Sequence, residues 1–194
     1  MFESIIKYIN SYISTPLTPE QEARIEETFT PKKIRKKQYL LQEGDVCRFA
    51  GFIVKGAMRQ YTVDDKGVEH VVQLYIENWW AVDRESFIML TPSVHSIDAW
   101  EDTDLLLMTH ADYLKLSESI PALLEMSSKL DMRSYIATQK RLNASLNFSA
   151  EDRYAELAKV HPEFLQRFPQ HIIASYLGIT KESLSRIRSK SALK

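Results

Sequence analysis

The chain has 194 residues, of which 44% are hydrophobic and 26% charged, and a net charge of −1. That length suits one medium domain and one small one, and that composition excludes a disordered, fibrous or low-complexity chain. Spaced rather than continuous apolar residues at the start argue against a signal peptide, no apolar run approaches the length of a membrane span, and the single cysteine excludes a disulfide framework. A cytoplasmic protein without membrane contact is expected.

Phe2, Ile5, Ile6, Ile9 and Ile13 recur at helical spacing, which predicts an amphipathic first helix ending before Thr15-Pro16. Thr18, Pro19 and Gln21 make a capping-box start for a second helix with Ile25 and Phe29 on its inner face. From Pro31 to about Thr109 the texture changes to short strand-like runs, predicted at 39–41, 52–54, 58–63, 68–76 and 104–108. Gly67 closes a hairpin turn begun at Asp64, since glycine takes a positive φ without steric cost. Ahead of the first predicted strand, Lys32, Lys33, Arg35, Lys36 and Lys37 form a basic run. It reads as a solvated face, with a secondary DNA or partner contact as the alternative. Trp79, Trp80 and Trp100 read as core residues or as the walls of an apolar effector pocket.

A segment from Pro121 to about Leu146 contains no further glycine or proline and predicts one long helix. Leu123, Leu124, Leu130, Ile136, Leu142 and Leu146 give it an apolar seam, read here as the interface of a homodimer through Leu123, Leu130, Ile136 and Leu142. Ser149 and Asp152 cap a new helix after a break, Pro162 and Pro169 bracket a short one, and a last segment begins at Gln170.

That last segment, QHIIASYLGITKESLSRIRSK, has the spacing of a helix-turn-helix. Ala174 is the small residue that lets two helices approach, Gly178 supplies the tight turn, and Leu177, Ile179, Leu184 and Ile187 turn inward. Thr180, Lys181, Glu182, Ser183, Ser185 and Arg186 remain for the major groove. Lysine and arginine donate to guanine, glutamate accepts from cytosine, and hydroxyls meet phosphates or base edges. Arg188 and Lys190 fall nearer the backbone phosphates. Residues 180–194 carry five cations against Glu182 alone, so a basic end sits on an acidic body and double-stranded DNA is the expected partner.

Together, the strand-rich region, the long helix and the stretch IASYLGITKESLSRIR resemble the Crp/Fnr family of transcriptional regulators, as do Gln42-Glu43-Gly44-Asp45, Phe52-Ile53-Val54-Lys55-Gly56 and Asp65-Lys66-Gly67-Val68-Glu69. The resemblance implies an α+β chain. Residues 1–120 hold N-terminal helices and an antiparallel, cyclic-nucleotide-binding-like β-roll, 121–147 a long dimerisation helix, and 148–194 a helix-turn-helix domain of winged-helix type. Because few residues follow the last helix, the wing is expected to be truncated. The resemblance further implies a DNA-binding, non-enzymatic homodimer on a near-palindromic site, with Lys181, Glu182 and Arg186 reading bases and RNA polymerase as a further partner. The alternative is a ligand-binding roll that regulates through a protein partner without DNA.

By the same resemblance, Glu85, Ser86, His95 and Ser96, with Trp79 and Trp80, would line an effector pocket. Arg84 stands where the family's nucleotide binders have glycine, and His95 where they have the phosphate-binding arginine. A neutral imidazole offers a phosphodiester no permanent charge, so cyclic AMP is not expected and the effector is left open. No cofactor or metal is expected: one cysteine cannot hold an iron-sulfur cluster, Cys47 reads as a buried small residue, and His70, His95 and His110 stand alone. No P-loop, nucleophile elbow or H-E-x-x-H motif argues for an enzyme.

Overall fold

A computed structural model of the protein describes residues 1–191. Two helices, α1 (Phe2–Asn10) and α2 (Pro19–Thr28), precede the strands. α1 ends three residues before Ile13, which is buried in the following turn rather than in the predicted helix. α2 opens on the predicted capping box. The Gln21 amide donates to Thr18 Oγ1 at 3.3 Å, and Gln21 Oε1 accepts from the Thr18 amide at 2.9 Å.

Eight strands follow: β1 (Thr30–Ile34), β2 (Tyr39–Leu41), β3 (Phe49–Lys55), β4 (Met58–Val63), β5 (Glu69–Tyr75), β6 (Trp80–Ala81), β7 (Ser96–Ala99) and β8 (Thr103–Thr109), with the short helix α3 (Arg84–Met89) between β6 and β7. They form two four-stranded sheets, ordered β1-β8-β3-β6 and β2-β7-β4-β5, and every pairing is antiparallel. Each sheet has one face on a shared core of Ile53, Met58, Ile97 and Leu105. Gly56 turns β3 into β4 at φ +108°, where a Cβ would meet Thr103 Oγ1 at 2.5 Å, so no other residue fits without displacing β8.

α4 (His110–Ser119) leads into α5 (Ala122–Asn147), which at 26 residues spans about 40 Å. Its first third lies on the roll, where Leu123 is 4% exposed and Met126 is buried in a second core with α1, α2 and α4. From Asp131 to Arg141 every residue is exposed. α6 (Ala150–Val160), α7 (Pro162–Arg167), α8 (Gln170–Leu177) and α9 (Lys181–Ser191) complete the description. The expected absence of a wing concerns chain beyond α9, and residues 192–194 lie outside the described residues. No helix among the described residues is long and apolar enough to cross a membrane.

The C-terminal helices are not suspended from α5 alone. α8 lies along β5, the edge strand of its sheet: Ser175 Oγ accepts from the Val71 amide at 2.9 Å and donates to the Glu69 carbonyl at 3.2 Å. Ala57, Tyr61, Val71 and Leu74 of the roll share one hydrophobic cluster with Phe164, Phe168, Ile173 and Leu184 of the C-terminal helices.

Candidate nucleic-acid interface

Pro169 precedes α8 and fits a helix start because its missing N–H is one that no helical carbonyl would accept. Ile172, Ile173 and Ala174 turn into the shared core, each 2% exposed. α8 ends on Gly178 in the left-handed conformation, φ +65°, and the Ile179 amide donates back to the Ala174 carbonyl at 3.0 Å. The reversal aims α9 across α8. Leu184 and Ile187 are buried beneath it, whereas Leu177 and Ile179, also expected in the core, are half-buried at its margin.

The outer face of α9 presents Lys181, Glu182, Ser185, Arg186, Arg188 and Lys190, all exposed. Thr180 and Ser183 serve the helix itself. The Ser183 amide donates to Thr180 Oγ1 at 3.2 Å, and the two hydroxyls lie 3.1 Å apart, an N-cap that satisfies a first-turn amide. Arg186 Nη2 donates to Ser183 Oγ at 3.3 Å, which holds the guanidinium over the same face, and Lys190 Nζ stands 3.9 Å from Glu151. The face is cationic, polar and free of apolar side chains.

Below it runs a cleft of about 640 Å³ between the β4–β5 hairpin and α8, lined by His70 and Glu69 on the roll and by His171, Ser175, Thr180 and Lys181 on the helices. A side-chain clamp fixes the domains beside this cleft. Arg167 donates to Glu101 at 3.0 and 2.6 Å and to Glu77 at 2.5 and 3.1 Å. Hydrogen bonds from Glu101 and then Glu77 raise the Arg167 guanidinium still further above the physiological range, against its partial burial. Burial pushes the Glu77 carboxyl up, but Arg167 and the Gly56 amide outweigh it and hold the group below the usual carboxylate range. A second network lies inside the sheet, where Arg59 pairs with buried Asp98 and with Glu69 and its guanidinium stands 4.2 Å from the Tyr61 ring. Neither network announced itself in the sequence, because their members are scattered across several elements.

The tryptophans do not enclose an effector with Glu85 and Ser86. Trp79 stands edge-on to His161 and Phe164, at 5.4 and 5.8 Å, in the contact between the domains. Trp80 packs against Phe52 and Phe29 in the core beneath α1 and α2. Trp100 packs on Phe168 and His171. Of the polar residues, Glu85 is exposed, and Ser86 is buried, donating to the Thr91 carbonyl at 2.6 Å and accepting from the Cys47 amide at 2.8 Å. Ser96 Oγ accepts from the Glu43 amide at 3.1 Å. His95 Nδ1 lies 3.3 Å from the buried Asp83 carboxylate, which also accepts from Ser93 Oγ at 2.5 Å. These groups satisfy one another. Cys47 is buried, and burial pushes its thiol up, away from the reactive thiolate.

The long helix also differs from its expected seam. Leu123 and Leu130 pack on the protein's own core, while Ile136 and Leu142 are 45% and 52% exposed. At about 100° per residue, Leu124, Met132, Tyr135, Ile136, Leu142 and Leu146 form one stripe, and Leu123, Met126 and Leu130 another on a different side. The two sets had been read as a single seam because both are leucine-rich.

Residues 31–119 match the profile of the cyclic nucleotide-binding domain family. No curated protein matches the chain in sequence. Solved structures with the same fold include the CLP global regulator of Xanthomonas campestris, 14% identical over 91% of this chain and 92% of that one, with a TM-score of 0.70. FixK2 of Bradyrhizobium japonicum is 17% identical over 84% of this chain and 83% of its own, with a TM-score of 0.69. The catabolite activator protein of Thermus thermophilus is 21% identical over 91% and 84%, with a TM-score of 0.57. The chain thus carries a cyclic nucleotide-binding domain within the α+β fold of Crp/Fnr-type transcriptional regulators.

Proposed function

We propose that the protein is a sequence-specific DNA-binding regulator that acts as a homodimer on a two-fold-symmetric site. The observation that carries this reading is α9, where Leu184 and Ile187 are buried while Lys181, Glu182, Ser185 and Arg186 stand clear of the protein. A polar, cationic helix face held rigidly above a core is what a major groove accepts. The exposed stripe on α5 supports the dimer, since one protein seldom leaves such a helix face in water. In a symmetric pair, the recognition helices address half-sites about one helical turn apart, roughly 34 Å. Activation or repression then follows from where the dimer sits relative to RNA polymerase, in the cytoplasm.

The roll is read as taking something other than cyclic AMP, or nothing. Asp83 puts a buried carboxylate beside His95, in the stretch resembling the phosphate-binding segment of nucleotide-binding relatives, and that charge opposes a phosphodiester.

The test is fluorescence anisotropy on duplexes selected from a random pool, with a Lys181→Ala/Arg186→Ala variant beside the wild type. Enrichment of a two-fold-symmetric sequence is expected, with the variant losing about 2–5 kcal/mol and its base preference at the contacted positions. A pool that stays random at low salt overturns the reading.

A further inference from the structure

We propose that the turn following β1 is a second DNA contact, in which Arg35 and Lys37 hold backbone phosphates flanking the bases that α9 reads. The inference rests on the DNA-binding reading and extends it to the roll. Lys32, Lys33, Arg35, Lys36 and Lys37 are all exposed. Lys33 leans toward Asp104 at 3.7 Å and Lys36 Nζ sits 5.3 Å from the centre of the Trp100 ring. Among the described residues, Arg35 and Lys37 have no carboxylate partner. The carboxylates beside this turn are Asp102, which accepts from the Lys36 amide at 2.8 Å, and Asp104, so five cations face two acids.

The place of the turn suggests what it meets. The Lys37 amide donates to the Ala99 carbonyl at 2.7 Å, which fastens the basic turn to the β7–β8 turn. That turn carries Trp100, whose ring lies 6.0 Å from His171 at the start of α8. His171 lines the cleft whose other wall includes Thr180 and Lys181. The basic turn and the start of α9 therefore border the same side of α8, a helix only about 12 Å long. One continuous duplex spans that separation within a few base pairs.

Two further observations separate this role from ordinary surface charge. Lysines on an edge strand discourage pairing with other chains, and β1 is an edge strand, which accounts for Lys32 and Lys33. Arg35 and Lys37 lie past the strand, where there is no ladder to protect. Lys37 also holds φ +71°, a backbone conformation in which glycine would be unstrained. A cation kept where the backbone favours glycine points to use of its charge.

The experiment compares two duplexes carrying the selected site, one ending at the half-sites and one extended by about ten base pairs on each flank. Wild type is expected to bind the extended duplex about tenfold tighter at low salt. An Arg35→Ala/Lys37→Gly variant should bind the short duplex as wild type does and lose the gain from extension. On the long duplex, its plot of log affinity against log salt should be shallower by about 0.9 for each phosphate contact removed. Because Lys37→Gly relieves strain, the variant should melt no lower than wild type, so a loss of binding cannot be put down to unfolding. Equal wild-type affinity for both duplexes, or an equal loss by the variant on both, overturns the flank contact and leaves the recognition helix standing. No sequence-specific binding to either duplex overturns both readings together.

Discussion

Arg167 lies 66 residues from Glu101 and 90 from Glu77, yet one guanidinium binds both carboxylates and ties α7 to the β5–β6 and β7–β8 connections. The side chains are roughly a fifth to a third exposed, so the clamp is worth less than a fully buried pair. Arg167→Met is expected to cost about 1–2 kcal/mol in urea denaturation, because it strands two like charges next to each other. The acid limb follows from Glu77. Its folded-state acidity lies below the ordinary carboxylate value, so its contribution is complete above that value and is lost as pH falls through the folded one. The stability difference between wild type and Glu77→Gln should therefore be level above about pH 5 and shrink below it. A difference that stays constant from pH 7 to pH 3 would mean that the Glu77 charge does not stabilise the fold.

α5 carries two unlike faces, and single substitutions should tell them apart. Leu123→Ala opens a cavity in the core beneath α1 and α4 and is expected to lower stability by about 2–5 kcal/mol. Leu142→Ala removes a side chain already 52% exposed, so it should leave the folded monomer nearly as stable while weakening self-association. Sedimentation across a concentration series separates the two, and a Leu142→Ala protein as dimeric as wild type would take the stripe out of the interface. Assigning each leucine to a face needed α1, α2 and α4 in place, because periodicity alone cannot say which side of a helix meets its own domain. Other elements were legible to different degrees for similar reasons. The α8–α9 unit could be read directly, since small Ala174, Gly178 and inward Leu184 and Ile187 act within fourteen residues of one another. β1 was hidden by composition: of its five residues only Ile34 is buried, and it is a strand because β8 lies beside it. β6 has two residues and exists only as a partner of β3.

At the scale of the whole molecule, the roll and the C-terminal helices share a core instead of meeting at a wet, polar boundary. Phe164 is fully buried between Trp79 at 5.8 Å, Phe168 at 5.8 Å and Tyr176 at 6.1 Å, and Val71 and Leu74 of β5 belong to the same cluster. Domains joined in this way lose contacts together, so their unfolding should be one cooperative event. Trp79 and Trp100 lie in that contact and report it by fluorescence, whereas far-UV circular dichroism follows the helices throughout the chain. Coincident midpoints are expected for the wild type. Phe164→Ala removes the central ring at a cost of about 3–5 kcal/mol to the shared core, and should split the transition so that tryptophan fluorescence moves before the bulk of the dichroism. Repeating the wild-type melt in saturating cyclic AMP should leave the midpoint where it was, because a ligand raises it only by binding the folded state more tightly than the unfolded one. Two separate transitions in the untreated wild type would show that the domains swing independently despite the shared cluster. A single transition moved upward by cyclic AMP would instead mean that Asp83 and His95 rearrange to admit the nucleotide, and that its binding is transmitted to α9 through the same packed core.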